Sequence, residues 1–115
     1  MKKKIASFTI VLLFIGFVSL SAQTAKTEKF KVYGNCDMCK ERIEKAATSV
    51  NGVTKANWDD KTKLLALTYD PDKTSTQKVQ VAIAKVGHDT EGEKADGNAY
   101  KALPECCKYE RKKLK

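Results

Sequence analysis

Polar and apolar residues alternate through Glu28-Lys29-Phe30-Lys31-Val32-Tyr33, placing Phe30 and Val32 on one face, as a half-buried strand requires. Gly34 and Asn35 break the alternation, and from Cys39 onward the period changes. Ile43, Ala46, Ala47 and Val50 recur at helical spacing, with Lys40, Glu41, Arg42, Glu44 and Lys45 between them. The spacing predicts one amphipathic helix with a narrow face of small residues, stopped by Asn51-Gly52, where glycine tolerates the left-handed conformation that commonly ends a helix. Val53 to Trp58 and Leu64 to Tyr69 predict two more strands, joined by a hairpin at Asp59-Asp60-Lys61-Thr62. Asp70-Pro71-Asp72 halts the second of these, because proline cannot donate to a ladder. Thr74 or Ser75 can then cap a second helix, whose Val79, Ala82, Ile83 and Val86 repeat the spacing of the first. His88 to Gly92 is short and polar, as an edge strand can be.

The chain thus holds two copies of strand-helix-strand, Glu28 through Trp58 and Leu64 through the segment after Gly87. Two such units in succession predict an α+β fold of the split βαβ, ferredoxin-like type: βαββαβ, an antiparallel sheet with two helices on one face. The expected core is Phe30, Val32, Ile43, Val50, Val53, Trp58, Leu65, Leu67, Val79, Ile83 and Val86. In this topology the turn after the first strand, the hairpin and Gly87-His88 share one end of the molecule, which brings His88 near Cys36 and Cys39. The domain is expected over residues 28–92, after a linker at 23–27 and before a tail at 93–115. The tail is expected to be largely irregular, with Tyr100 and Leu103 as its anchors.

Before the linker, lysines at positions 2–4 precede an almost wholly apolar run from Ile5 to Leu20, which ends in Ser19-Leu20-Ser21-Ala22. This is the pattern of a signal peptide over residues 1–22, cleaved after Ala22 or Ser21; an uncleaved anchor is the alternative. No cysteine follows the run, so a lipid anchor is not expected, and the mature chain is expected in the periplasm or secreted. It would be a single small domain, and a monomer without stable membrane insertion. Loss of the leader's three lysines leaves 19 basic residues against 14 acidic, and the net charge falls from +8 to +5. The dense part of this surplus is Arg111, Lys112, Lys113 and Lys115, which reads as a solvated tail and not as a nucleic-acid site, since few aromatics interleave with it.

The candidate chemistry lies in Tyr33-Gly34-Asn35-Cys36-Asp37-Met38-Cys39, a CxxC pair at a strand-to-helix junction. Unpaired N–H groups at a helix start, with Lys40 and Arg42 close by, favour thiolate over thiol, the form that binds metals and attacks disulfides. Two residues between the cysteines let both sulfurs turn toward one point. A pair of thiolates suits a soft ion, copper(I) or mercury(II), with zinc and silver also accepted, and leaves room for a partner's thiolate. With one histidine and no glycine-rich phosphate loop, the chain shows no nucleophile-base-acid constellation, and an enzyme is not expected.

These residues resemble the heavy-metal-associated domain of copper chaperones, copper-transporting P-type ATPase modules and the periplasmic mercuric-ion carrier. The resemblance is carried by Gly34, Cys36 and Cys39, the helix with Ile43, Ala46 and Val50, the Asn51-Gly52-Val53 exit, Tyr69-Asp70-Pro71 and Gly87. It implies metal binding by Cys36 and Cys39, and transfer to a metal-transporting ATPase or another thiolate-bearing acceptor. The chain departs from the family in a loop one residue shorter, in Met38 within the CxxC, and in His88 where relatives carry an aromatic or a lysine. Met38 is expected to plug the loop, with a thioether ligand as the alternative. His88 is a candidate third ligand or proton-sensitive neighbour. Cys106-Cys107 lies outside the usual domain; the 15 steps from Glu91 can span up to about 50 Å, enough to reach the first pair. The tail pair can therefore enlarge a metal site, join one of three disulfide pairings, or stay free. A thiol-disulfide oxidoreductase and a disulfide-stapled secreted domain remain the competing readings.

Overall fold

The computed structural model describes residues 25–111, so the leader and Lys112, Lys113 and Lys115 lie outside the described residues. The elements in chain order are β1 (Lys26–Lys31), α1 (Asp37–Thr48), β2 (Val53–Trp58), β3 (Leu64–Tyr69), α2 (Thr76–Lys85) and a short α3 (Gly97–Lys101), followed by a 3-10 turn at Glu105–Cys107. The three strands form an antiparallel sheet in the order β1-β3-β2. Helices and sheet share one core, in which Phe30, Val32, Ile43, Trp58, Leu65, Leu67, Val79 and Ile83 are buried. Val50, Val53 and Val86, expected in that core, are only partly buried at its edge.

Strands β2 and β3 and the second helix fall where the sequence pattern puts them, with Ser75 as the α2 cap accepting from the Lys78 N–H at 3.3 Å. Gly52 and Gly87 take the left-handed conformation after α1 and α2, at φ +106° and +107°. Strand β1 is shifted two residues toward the N-terminus relative to the expected Glu28–Tyr33. Lys26 and Thr27, expected in the linker, pair with Tyr69 and Thr68, and the two threonine hydroxyls meet at 3.0 Å.

The expected fourth strand shrinks to a single bridge between Val32 and Thr90. Around that bridge the Tyr33 N–H donates to the Asp89 carbonyl at 2.9 Å and the Glu91 N–H to the Lys31 carbonyl at 3.0 Å, but the return donors go elsewhere, the Asp89 N–H to the Tyr109 hydroxyl and the Lys31 N–H to the Glu91 carboxylate. Backbone donors spent on side chains cannot extend a ladder. The tail also departs from expectation. Besides Leu103, which is buried, and Tyr100, which packs against the core, it places Tyr109 in the core and closes an ion pair between Arg111 and buried Asp89 at 2.6 Å. Arg111 is therefore not part of a solvated basic end. The glycine at 87 makes this docking feasible, because a Cβ there would stand 2.9 Å from the Ala99 carbonyl oxygen and 3.1 Å from Leu103.

Candidate metal centre

Cys36 is the cap of α1, in extended backbone conformation, and Cys39 is in the first helical turn. The helix begins at Asp37, two residues before its apolar period, and an acidic residue in the first turn complements the helix dipole. Cys39 falls on the buried face with Ile43, Ala46 and Ala47, whereas Cys36 is partly exposed. Beneath the turn the Trp58 ring fills the space that a side chain at position 34 would need: a Cβ on Gly34 would lie 3.1 Å from Cys39 Cβ and 3.3 Å from the ring. The Trp58 indole N–H donates to the Val32 carbonyl at 2.9 Å, and Lys63 Nζ donates to the Gly34 carbonyl at 2.8 Å. The loop stem is thus fixed from the core side and from the hairpin.

Cys36 Sγ stands at the centre of the sulfur atoms. It lies 3.8 Å from Cys39 Sγ, 3.4 Å from Cys106 Sγ and 3.8 Å from Cys107 Sγ, and the two tail sulfurs are 4.0 Å apart. All four cysteines are free thiols. Cys39 Sγ accepts the Asn35 N–H at 3.3 Å, and Arg42 donates from Nη1 to Cys107 Sγ at the same distance. The backbone N–H of Cys39, helped by the Cys106 and Cys107 thiols and the Met38 N–H, outweighs partial burial and lowers the Cys36 thiol to about 7. Burial, with Cys39 beside it, pushes Cys107 up to about 12 despite Arg42. The hydrogen bond to Cys36 raises Cys106. Cys36 is thus an acidic thiol in contact with three others, its S–H within reach of Cys106 Sγ at 3.4 Å and the Cys106 carbonyl at 3.5 Å.

The remaining candidates are placed differently. Met38 does not plug the loop: it is 49% exposed, because it lies one position, about 100°, off the buried helix face, and its thioether sits 3.5 Å from Cys106 Sγ. Trp58 does the filling instead. His88 is completely buried; its Nδ1 donates to the Tyr33 carbonyl at 2.8 Å and its ring stacks on Tyr109 at 5.5 Å. It reaches the stem of the cysteine loop, as the topology implied, but the close cluster of ligand atoms is Cys36, Cys106 and Cys107, all within 4.8 Å of one another. Arg42, expected to act on the CxxC pair, instead donates to Cys107, and the contact of Lys63 with the loop escaped the sequence reading. Lys63 is remote from the motif in sequence, and nothing marks it out from the other surface lysines.

These features define a class: a small α+β module that presents an acidic thiol on a strand-to-helix turn. The model of the heavy-metal-associated domain matches residues 31–89, and the chain belongs to that family. The mercuric transport protein periplasmic component of Serratia marcescens is 33% identical over 76% of this chain and 93% of its own length. The copper-exporting P-type ATPase of Bacillus subtilis is 39% identical over 53% of this chain, but the match spans only 8% of that protein. Among solved structures, a CopZ metallochaperone is 29% identical, with a TM-score of 0.55, over 56% of this chain and 98% of its own. The relatives are metal carriers and transporters, and metal binding is the common ground of the family. The tail from Thr90 onward lies beyond the matched stretch.

Proposed function

We propose that this chain is an exported carrier or scavenger of a soft metal ion, copper(I) first and mercury(II) next. Cys36 and Cys39 would bind the ion and pass it on by thiolate exchange. The observation that carries the reading is the sulfur geometry: an acidic Cys36 thiol with Cys39 Sγ at 3.8 Å, at the head of a helix in a fold shared with a CopZ metallochaperone. Sulfur-only ligands favour soft ions over magnesium or calcium. The names of the relatives supply both candidate metals, and the apolar leader with its small-residue end supports export. The acceptor is a metal-transporting ATPase or another thiolate-bearing protein, and no catalytic step is assigned.

Native mass spectrometry of the reduced mature chain, offered copper(I), mercury(II) and zinc in turn, tests this. One soft ion per chain is expected, and the Cys36→Ser/Cys39→Ser variant should lose it while keeping its circular dichroism spectrum. Unchanged metal uptake by that variant would remove the assignment. Reduction of a protein disulfide at a rate set by Cys36, with no metal uptake, would favour the oxidoreductase reading instead.

A further inference from the structure

The tail pair is held at the loop by a clasp that extends well beyond the two cysteines. Tyr109 OH accepts the Asp89 N–H and donates to the Gly87 carbonyl, both at 2.8 Å, and Tyr100 OH donates to the Tyr109 carbonyl at 2.6 Å. Arg111 grips both carboxylate oxygens of Asp89 at 2.6 and 2.9 Å. Between these anchors the 3-10 turn buries Cys107 and leaves Cys106 exposed beside Met38, on the outer side of Cys36. Asn35 adds a donor contact to the Cys106 carbonyl at 3.4 Å.

The sulfur spacings discriminate between coordination numbers. At a metal-sulfur distance of about 2.3 Å, two sulfurs in linear coordination stand about 4.6 Å apart, three in a plane about 4.0 Å, and four in a tetrahedron about 3.8 Å. The separations in the structure are 3.4, 3.8, 3.8 and 4.0 Å. All are shorter than a linear pair requires, and the mutually close sulfurs of Cys36, Cys106 and Cys107 match three thiolates around one point, with Cys39 Sγ 3.8 Å from Cys36 Sγ. Arg42 beside Cys107 offsets the negative charge that extra thiolates bring.

We infer that Cys106 and Cys107 enter the coordination sphere of the ion held at Cys36, turning an open cysteine pair into a closed site of three or more sulfurs. The inference rests on the carrier reading and adds its extra ligands and its barrier to release. The tail occupies the side from which an acceptor's thiol would approach, so the tail must lift before the ion leaves.

X-ray absorption of the full mature chain, loaded with copper(I) and separately with mercury(II), counts the sulfurs. Three or more are expected. Cys106→Ser, which alters an exposed residue and spares the fold, should remove one, and Cys106→Ser/Cys107→Ser should leave two. Release to a dithiol chelator should quicken in both variants by at least about tenfold, the lower end of what disturbing a metal's surroundings costs in affinity. Two sulfurs in the wild type, with a count and release rate unaltered in Cys106→Ser, would overturn the inference while leaving the carrier reading intact. A wild-type chain that takes up neither ion would overturn both.

Discussion

His88, the one histidine of the chain, is wholly buried, and its Nε2 finds no hydrogen-bond partner among the described residues. Burial, together with Arg42, depresses its pKa; the Tyr33 carbonyl and Asp89 oppose this without winning. The unfolded chain therefore gains a proton near the ordinary value of 6.5 that the folded chain refuses. Stability should be full above about pH 6.5 and fall as the pH drops below it, by at most about 1.4 kcal/mol per pH unit. Urea denaturation across pH 5 to 7.5, roughly the range of histidine titration, reads this slope. His88→Phe, which keeps a ring against Tyr109, should flatten it; an equal slope in the variant would assign it to another group. The sequence placed His88 at the right end of the fold because topology alone determines that. Its burial was not legible, because the ring that covers it, Tyr109, comes from a tail with no apolar period. The same blind spot hid the difference between Met38, on an exposed helix position, and Trp58, which fills the loop from another strand.

At the scale of elements, the hairpin between β2 and β3 does more than connect them. Lys63 sits in the left-handed region at φ 65°, donates from its backbone to Asp59 and from Nζ to Gly34, and lies over the Trp58 ring with Nζ 5.4 Å from its centroid. A lysine in that conformation is strained by about 1–2 kcal/mol, whereas a glycine is not. Lys63→Gly should therefore unfold within about 1 kcal/mol of the wild type, relief of strain offsetting the lost contacts. Lys63→Ala keeps the strain and loses the contacts, and should be about 1–2 kcal/mol less stable than Lys63→Gly by urea midpoint. In both variants amide exchange at Gly34 and Asn35 should quicken; unchanged exchange would separate the hairpin from the loop. Alternation and turn residues made β2, β3 and both long helices readable. The fourth strand was misread because Thr90 and Asp89 look like any polar edge, and only their partners Gln80, Ala95 and Arg111 show that the chain turns back there.

For the whole molecule, the domain does not end where the two-fold repeat ends. The tail contributes Leu103, Cys107 and Tyr109 to the core, and the Asp89-Arg111 pair closes it. Burial pushes the Asp89 carboxyl up, but the Arg111 guanidinium and the Ala95 N–H outweigh it and hold the group below the usual carboxylate range. Arg111→Ala strands that buried charge and should cost about 3 kcal/mol, the lower end for breaking a buried pair, because Arg111 is itself partly exposed. The same denaturation measurement detects it, and a loss below about 0.5 kcal/mol would show that the clasp is not part of the fold. A lysine-rich end reads as solvent-facing in sequence, and the carboxylate that holds Arg111 lies 22 residues away, where no local pattern connects the two. Cys106 and Cys107 belong to the same chain as Cys36 and are already in contact with it. Even a flexible tether presents its ligand at an effective concentration on the order of millimolar, and a docked one presents it higher still. Small thiols dissolved around the protein would then have to outcompete a ligand that never diffuses away. The cargo would be guarded against casual loss, and only an acceptor that engages the tail, or brings two thiols at once, would draw it out.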